Sequence, residues 1–399
     1  MPENRVVLKN CGVINPRDIT TYLENDGIKA WQKVSGKMTP EQVIEELKAS
    51  GLRGRGGAGF LCGLKWEMAK NAPGEEKYVL CNADEGEIGT FKDRYILEND
   101  PFTLIEGISI AAYTIGTRQA YIYLRAEYHF LLELLTGAII QAKEKGFLEH
   151  VDIEVREGAG AYVCGEESAL MDSIEGKRGE VRYKPPFPPT EGLWQKPTTI
   201  NNVETLMNIP RILLNGADWF NQMGTERSKG TKVFSVCGDV GKPGVYEMVL
   251  GSSLRELVID LARADNVKMV QIGGATGKVI NEAMLDTPFS FETLLGAGAV
   301  TVYNENRDVI DIVHRTMEFL AEESCGKCTP CREGTMVMVE MLDRLSMGEG
   351  RKNDINILEE LSGVMMLSSL CGLGQAAPNP VMDSLEHFRD VYEQRIRKD

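Results

Sequence analysis

"KYVLCNADEGEIGTFKDR", residues 77–94, opens as a strand and then changes character. Lys77 to Leu80 reads as a buried strand, because a short apolar run fits the interior of a parallel sheet. The loop after it gathers Asn82, Asp84, Glu85 and Glu87, and α/β sheets hold ligands just past the carboxyl ends of their strands. Outward from this stretch, helical and extended segments alternate. "IEGISIAAYTIG" and "FLLELLTGAIIQAKEKG" read as helices, "QAYIYLRAE" and "HVDIEVREGAG" as strands, and "GEESALMDSIEG" as a further helix. Upstream, "MTPEQVIEELKASGLRG" carries a helix with a capping box at Thr39 and Gln42, Pro40 in its first turn and Gly51 as its stop. The alternation predicts an α/β domain over residues 1–228.

Composition then shifts. "TKVFSVCGDVGKPGVYEMVLGSSLRELVIDLA" reads strand, glycine turn, strand, helix, followed by "VKMVQIGGATG" and "GAGAVTVYN". That predicts a compact α+β unit over residues 229–308, and a helical pattern follows over 309–399. The net charge of −15 is the wrong sign for nucleic acid or for an anionic lipid surface. No apolar run is long enough to span a bilayer, and the start "MPENRVVLKN" lacks a signal-peptide core. The expectation is a cytoplasmic protein without membrane insertion.

"ESCGKCTPCREG", residues 323–334, packs Cys325, Cys328 and Cys331 into one loop. C-x2-C-x2-C is too tight for the two-plus-two spacing of zinc knuckles and suits three corners of a [4Fe–4S] cluster. Cys371 in "SSLCGLGQAAPNP" is the candidate fourth ligand, with Gly372 and Gly374 letting the backbone crowd the centre. A structural zinc site is the competing reading. The other cysteines, Cys11, Cys62, Cys81, Cys164 and Cys237, are expected to be buried small hydrophobes. His129, His150, His314 and His387 lie outside every motif and are expected to be structural or surface residues.

Gly54, Gly56 and Gly59 match G-x-G-x-x-G, but the run follows a helix, where a dinucleotide fingerprint follows a strand. Its glycines and nearby cations Arg53, Arg55 and Lys65 nevertheless suit a phosphate. Asn201 and Asn202 offer paired amides, and "YKPPFPP" sets Lys184 and Phe187 on a stiff scaffold fit for ring stacking.

Taken together, "GLRGRGGAGF", "NADEGEIGTFKDR", "GAGAYVCGEESALM", "KPPFP", "KPTTINNVETL" and "ESCGKCTPCREG" resemble the flavin-bearing, NADH-oxidising subunit of respiratory complex I. The same family includes the diaphorase subunits of soluble NAD-linked hydrogenases and formate dehydrogenases. The resemblance implies a Rossmann-like FMN and NADH domain, a ubiquitin-like β-grasp domain and a helical bundle carrying one [4Fe–4S] cluster. It assigns FMN to Gly54, Arg55, Gly56, Gly57, Lys65, Asn82, Asp84, Gly165, Glu166, Asn201 and Asn202, with Tyr162 also in that pocket. It assigns NADH to Phe60, Glu87, Glu167, Lys184 and Phe187, and the cluster to Cys325, Cys328, Cys331 and Cys371.

The implied chemistry is hydride transfer from NADH to FMN, then single electrons to the cluster. No general acid or base is required, so Glu87 and Tyr162 would position cofactors. Glu87 and Glu167 should favour a ribose 2′-hydroxyl over a 2′-phosphate, hence NAD(H) over NADP(H). No cysteines remain for further clusters, so a small thioredoxin-like [2Fe–2S] subunit and a larger iron–sulfur catalytic subunit are expected partners. "LCGLGQAAPNPV" and "VVLKNCGVINP" are more similar to the hydrogenase and formate dehydrogenase branch than to complex I. Nothing in the residues demands electron bifurcation. A nucleotide-binding scaffold with a purely structural cluster is the alternative of a different class, and would be inert to NADH.

Overall fold

The computed structural model describes residues 4–293 and 295–397. Four parallel strands form the first sheet: β1 (Tyr78–Ala83), β2 (Gln119–Leu124), β3 (Asp152–Glu157) and β4 (Thr198–Asn202). Their order is β3-β2-β1-β4. The chain steps outward from β1 to β3 and then returns to the other side of β1. The order therefore reverses between β1 and β4, and their carboxyl ends diverge into a crevice there. Register sets Asn82 beside Asn202 at those ends.

β1 is the predicted buried strand, with Val79, Leu80 and Cys81 almost wholly inaccessible. It is central and covered on both faces, which explains its unbroken apolar run. The helix Pro101–Ile115 links β1 to β2 and packs against the helix Val203–Asn215. The capping box at Thr39 and Gln42 forms as expected, with Gly51 in the left-handed region at φ 64°. "LKWEMAKN" belongs to a helix, Cys62–Asn71, so the glycine-rich loop lies between two helices.

The second sheet holds β5 (Thr231–Gly238), β6 (Gly244–Val249), β7 (Val267–Ile272), β8 (Lys278–Asn281) and β9 (Ala299–Asn304). Its order is β6-β5-β9-β7-β8, with β5 and β9 parallel and the other pairs antiparallel. One helical turn, Glu256–Leu261, crosses the sheet and buries Leu257 and Val258 against Phe234, Val236 and Val270. This is the expected β-grasp arrangement. The last unit is helical, built on Val309–Glu322, Thr329–Ser346, Asp354–Ser368 and Asn379–His387. Its core continues into the second sheet through Met269, Ala275 and Val279.

Cys11, Cys62, Cys81 and Cys164 are buried, as expected, whereas Cys237 is only half-buried. It sits near the end of β5, where its thiol meets the Thr301 hydroxyl at 3.6 Å. His150 stacks on Trp31 at 4.4 Å and reaches the Ser109 carbonyl, a structural role.

Candidate functional site

A cavity of about 490 Å³ opens at the crevice between β1 and β4. Its wall includes Gly56, Gly57, Asn82, Asp84, Glu87, Tyr162, Gly165, Glu166 and Asn202 from the sequence-derived set. Three features position them. The glycine loop is closed by a Gly54 N–H to Phe60 carbonyl bond of 2.9 Å. It is docked on the first turn of the helix Val203–Asn215, where the Arg55 N–H donates to Thr205 Oγ1 at 2.8 Å. That helix starts directly from β4 with Asn202 as its cap. A glycine loop laid on a helix N-terminus is an anion-binding arrangement. Here the helix that serves it is distant in sequence, which is why the local motif lacked its usual context.

Gly57 has φ 131° and nothing within 4 Å of the position a Cβ would take, so its backbone faces open space. In the wall of the same cavity, the buried Asp84 Oδ2 has no hydrogen-bond partner. Burial pushes the Asp84 carboxyl up to about 7. An unpaired acceptor beside an open backbone cradle is what a ligand rich in hydroxyl and N–H groups would satisfy. Glu87 accepts from the Tyr162 hydroxyl at 2.7 Å and from the Ala275 N–H at 2.6 Å. Burial raises its pKa despite those two donors. Glu166 behaves oppositely. Burial alone would raise it, but Ser168 and Lys184 hold its carboxyl below the usual range.

The remaining residues lie around or behind the cavity. Lys184 bridges Glu166 at 2.9 Å and Glu167 at 2.6 Å, making a charged rim. Phe60 and Phe187 are exposed aromatic side chains. Arg55, Lys65 and Asn201 turn their side chains away from the cavity. Arg55 is wholly buried and gives its guanidinium to the carbonyls of Arg53 and Lys229. Lys65 donates to the Ile200 carbonyl at 3.0 Å. Asn201 accepts from the Trp66 indole at 2.9 Å. These three brace the glycine loop and β4 from behind.

Sequence reasoning missed two parts of the wall. Gly273, Thr276, Gly277, Gly296 and Ala297 come from the second sheet, and Lys92 and Asp93 from beneath. The glycine pairs in "GGATG" and "GAGA" were the available signal. Lys92 is buried and contacts Asp93 at 2.6 Å and Glu204 at 3.0 Å. Lys232 meets the same Glu204 carboxylate at 2.5 Å. Burial pulls the pKa of Lys232 down, and the Glu204 carboxylate opposes that shift.

Cys325, Cys328, Cys331 and Cys371 line one small void together with Val163, Val181, Ser324, Lys327, Leu370 and Leu373. All four cysteines thus border one void, although among the described residues no three His, Cys, Asp or Glu side chains are grouped for a single ion. Burial pushes the Cys331 thiol up to about 11, so a thiolate there calls for a cationic partner. The donor set and its apolar surround suit an iron–sulfur centre. Gly374 lies so close that a Cβ would come within 2.8 Å of Cys331 Cβ, whereas Gly372 is open. Val163, Cys371 and Leu373 belong to both walls, so one layer of residues separates the cavity from the thiol void.

Comparison with known proteins agrees with both halves. Residues 47–211 match the Nuo51 FMN-binding domain, and residues 311–395 match the NADH-ubiquinone oxidoreductase-F iron-sulfur binding region. The chain is 43% identical to the HndC subunit of the NADP-reducing hydrogenase of Solidesulfovibrio fructosivorans, over 98% of this chain and 83% of that one. It is 42% identical to the F 2 subunit of the NADH-quinone oxidoreductase of Rhizobium meliloti (strain 1021), over 98% of each. Its fold superposes on the crystal structure of NAD+-reducing [NiFe]-hydrogenase in the H2-reduced state with a TM-score of 0.90 and 40% identity. That match covers 96% of this chain and 67% of that one. The chain belongs to the family of FMN- and [4Fe–4S]-binding NADH dehydrogenase subunits, whose members include subunits of NADH-quinone oxidoreductases and of NAD- and NADP-reducing hydrogenases.

Proposed function

We propose that this chain is the NADH-oxidising subunit of a soluble, cytoplasmic NAD-linked hydrogenase or formate dehydrogenase. Bound in this cavity, FMN would supply hydride chemistry toward NAD(H) and one-electron chemistry toward the iron–sulfur centre. The observation that carries the reading is the shared wall: Val163, Cys371 and Leu373 border both the flavin cavity and the thiol void. In this reading Gly56, Gly57 and Asn202, which caps the helix Val203–Asn215, would hold the phosphate of FMN. Asn82, Asp84, Gly165 and Glu166 take its polar edges. Glu87, through Tyr162, and the rim of Glu167, Lys184, Phe60 and Phe187 orient the nucleotide. Arg55, Lys65, Gly54 and Asn201 act by holding the loop and strand in place. The domain limits we assign are 1–228, 229–308 and 309–399.

The relatives' names describe subunits of larger enzymes. For this chain we propose a thioredoxin-like [2Fe–2S] subunit and a larger iron–sulfur catalytic subunit as partners. Among the described residues no helix is long and apolar enough to cross a membrane. The relative from Rhizobium meliloti supports a second reading, the corresponding subunit of an NADH:quinone oxidoreductase. Anaerobic purification of the native complex tests the proposal. Bound FMN, bleaching of its absorbance by NADH and an electron paramagnetic resonance signal from the reduced centre are expected. A yellow protein inert to NADH would instead mark a nucleotide-binding scaffold. Identification of the co-purifying subunits decides between hydrogenase, formate dehydrogenase and quinone oxidoreductase.

A further inference from the structure

Among the described residues that enclose the thiol void, Lys327 is the only one with a basic or acidic side chain other than the thiols. It stands between Cys325 and Cys328 in the loop, and three features fix its ammonium. Nζ donates to the Val181 carbonyl at 2.6 Å, and Val181 is itself part of the wall. It lies 5.4 Å from the centre of the Tyr183 ring. Glu180 Oε2 is 3.8 Å away. From the same segment Arg178 reaches the Cys325 carbonyl at 3.1 Å. Residues 178–183 of the flavin-binding unit thus hold a cation against the cysteine loop. Arg332 also reaches this loop, donating to the Gly326 carbonyl at 2.7 Å and pairing with Glu333 at 2.9 Å, but it lies outside the wall of the void.

We propose that Lys327 tunes the reduction potential of the [4Fe–4S] centre upward and that Glu180 opposes it. The inference rests on reading the four cysteines as cluster ligands. A centre held by four thiolates gains one electron and one negative charge on reduction, so a nearby fixed cation favours the reduced form and an anion the oxidised form. The other wall side chains are apolar or neutral, so Lys327 is the one formally charged side chain among the described residues of the wall. The Ser324 hydroxyl, 3.3 Å from Cys331 Sγ, acts in the same direction. The flavin-binding unit therefore contributes to the potential of its own electron acceptor as well as to its position.

The test is a potentiometric titration of the intact complex, followed by electron paramagnetic resonance. Wild type is compared with Lys327→Met, Lys327→Arg and Glu180→Gln. Lys327→Met is expected to make reduction at least tenfold less favourable, a downward shift of about 59 mV for one electron. Lys327→Arg should stay within about threefold of wild type, as the charge is kept. Glu180→Gln should shift the potential upward, and by less, because its side chain is 36% exposed. Iron and sulfide content, with the wild-type signal, shows separately whether the cluster is present, so a failure of the ligand reading is recognisable as such. An unchanged potential in an intact Lys327→Met centre overturns the proposal. If that variant does not assemble its cluster, Glu180→Gln decides, and an unchanged or lowered potential there overturns it equally.

Discussion

Asp84 carries its carboxyl into the cavity wall with Oδ2 shut away from solvent. Its Oδ2 is inaccessible and unpaired, and burial raises the carboxyl to about 7. The folded chain therefore holds a proton that the unfolded chain releases near pH 4, so this group favours folding at low pH. That contribution is fully present below about pH 4 and is lost as pH rises to about 7, roughly 4 kcal/mol in all. In FMN-free protein, Asp84→Asn should flatten the fall in stability between about pH 4.5 and 7.5, measured by urea unfolding. An unchanged slope would assign the pH dependence to other groups. At this scale the sequence was informative about residue type and less so about direction. Asp84, Glu87 and Asn202 reach the cavity, whereas the Arg55 and Lys65 cations turn to the backbone carbonyls of Lys229 and Ile200.

Among the elements, the helix Val203–Asn215 carries the most consequence and was the hardest to read. "TTINN" is short and polar for a strand, and Pro210 inside the helix is a breaking signal. Both were hidden from periodicity, yet together they supply one lip of the crevice. Glu204 in the helix's first turn neutralises Lys92 and Lys232 and accepts the Val233 N–H at 2.8 Å. Glu204→Gln leaves two buried ammoniums sharing no carboxylate and should cost about 3–5 kcal/mol in denaturant unfolding. A loss below about 1 kcal/mol would show that Asp93 alone suffices for Lys92. The loop before β9 acts from the other side. Phe291 lies 5.7 Å from the Arg53 guanidinium and 5.6 Å from that of Arg55, against Gly59. Phe291→Ala should loosen the glycine loop and weaken FMN binding at least tenfold, about 1.4 kcal/mol, by fluorescence titration. Unaltered affinity would mean that the helix N-terminus holds the loop unaided.

Across the whole molecule, the three units are joined by packing and by buried bonds. The N–H groups of Val6, Val7 and Leu8 each donate at 2.9 Å to Glu247 on β6. Asp383 of the helical unit accepts from the Val279 N–H at 3.0 Å and from Lys278 at 3.1 Å. Because Met269, Ala275 and Val279 complete the helical core, a fragment of residues 309–399 should lack a cooperative thermal transition by circular dichroism. A sharp transition in that fragment would show that its core closes on itself. The sequence by itself determined the alternation of the first unit, the capped helix at Thr39 and the C-x2-C-x2-C loop, because each depends on neighbours within a few residues. Tertiary structure alone decided which helix underlies the glycine loop, that the second sheet closes the cavity, and that Cys371 and Val163 share one wall. Those relations join residues more than a hundred positions apart, and only burial and register, acting across the folded chain, bring such residues together.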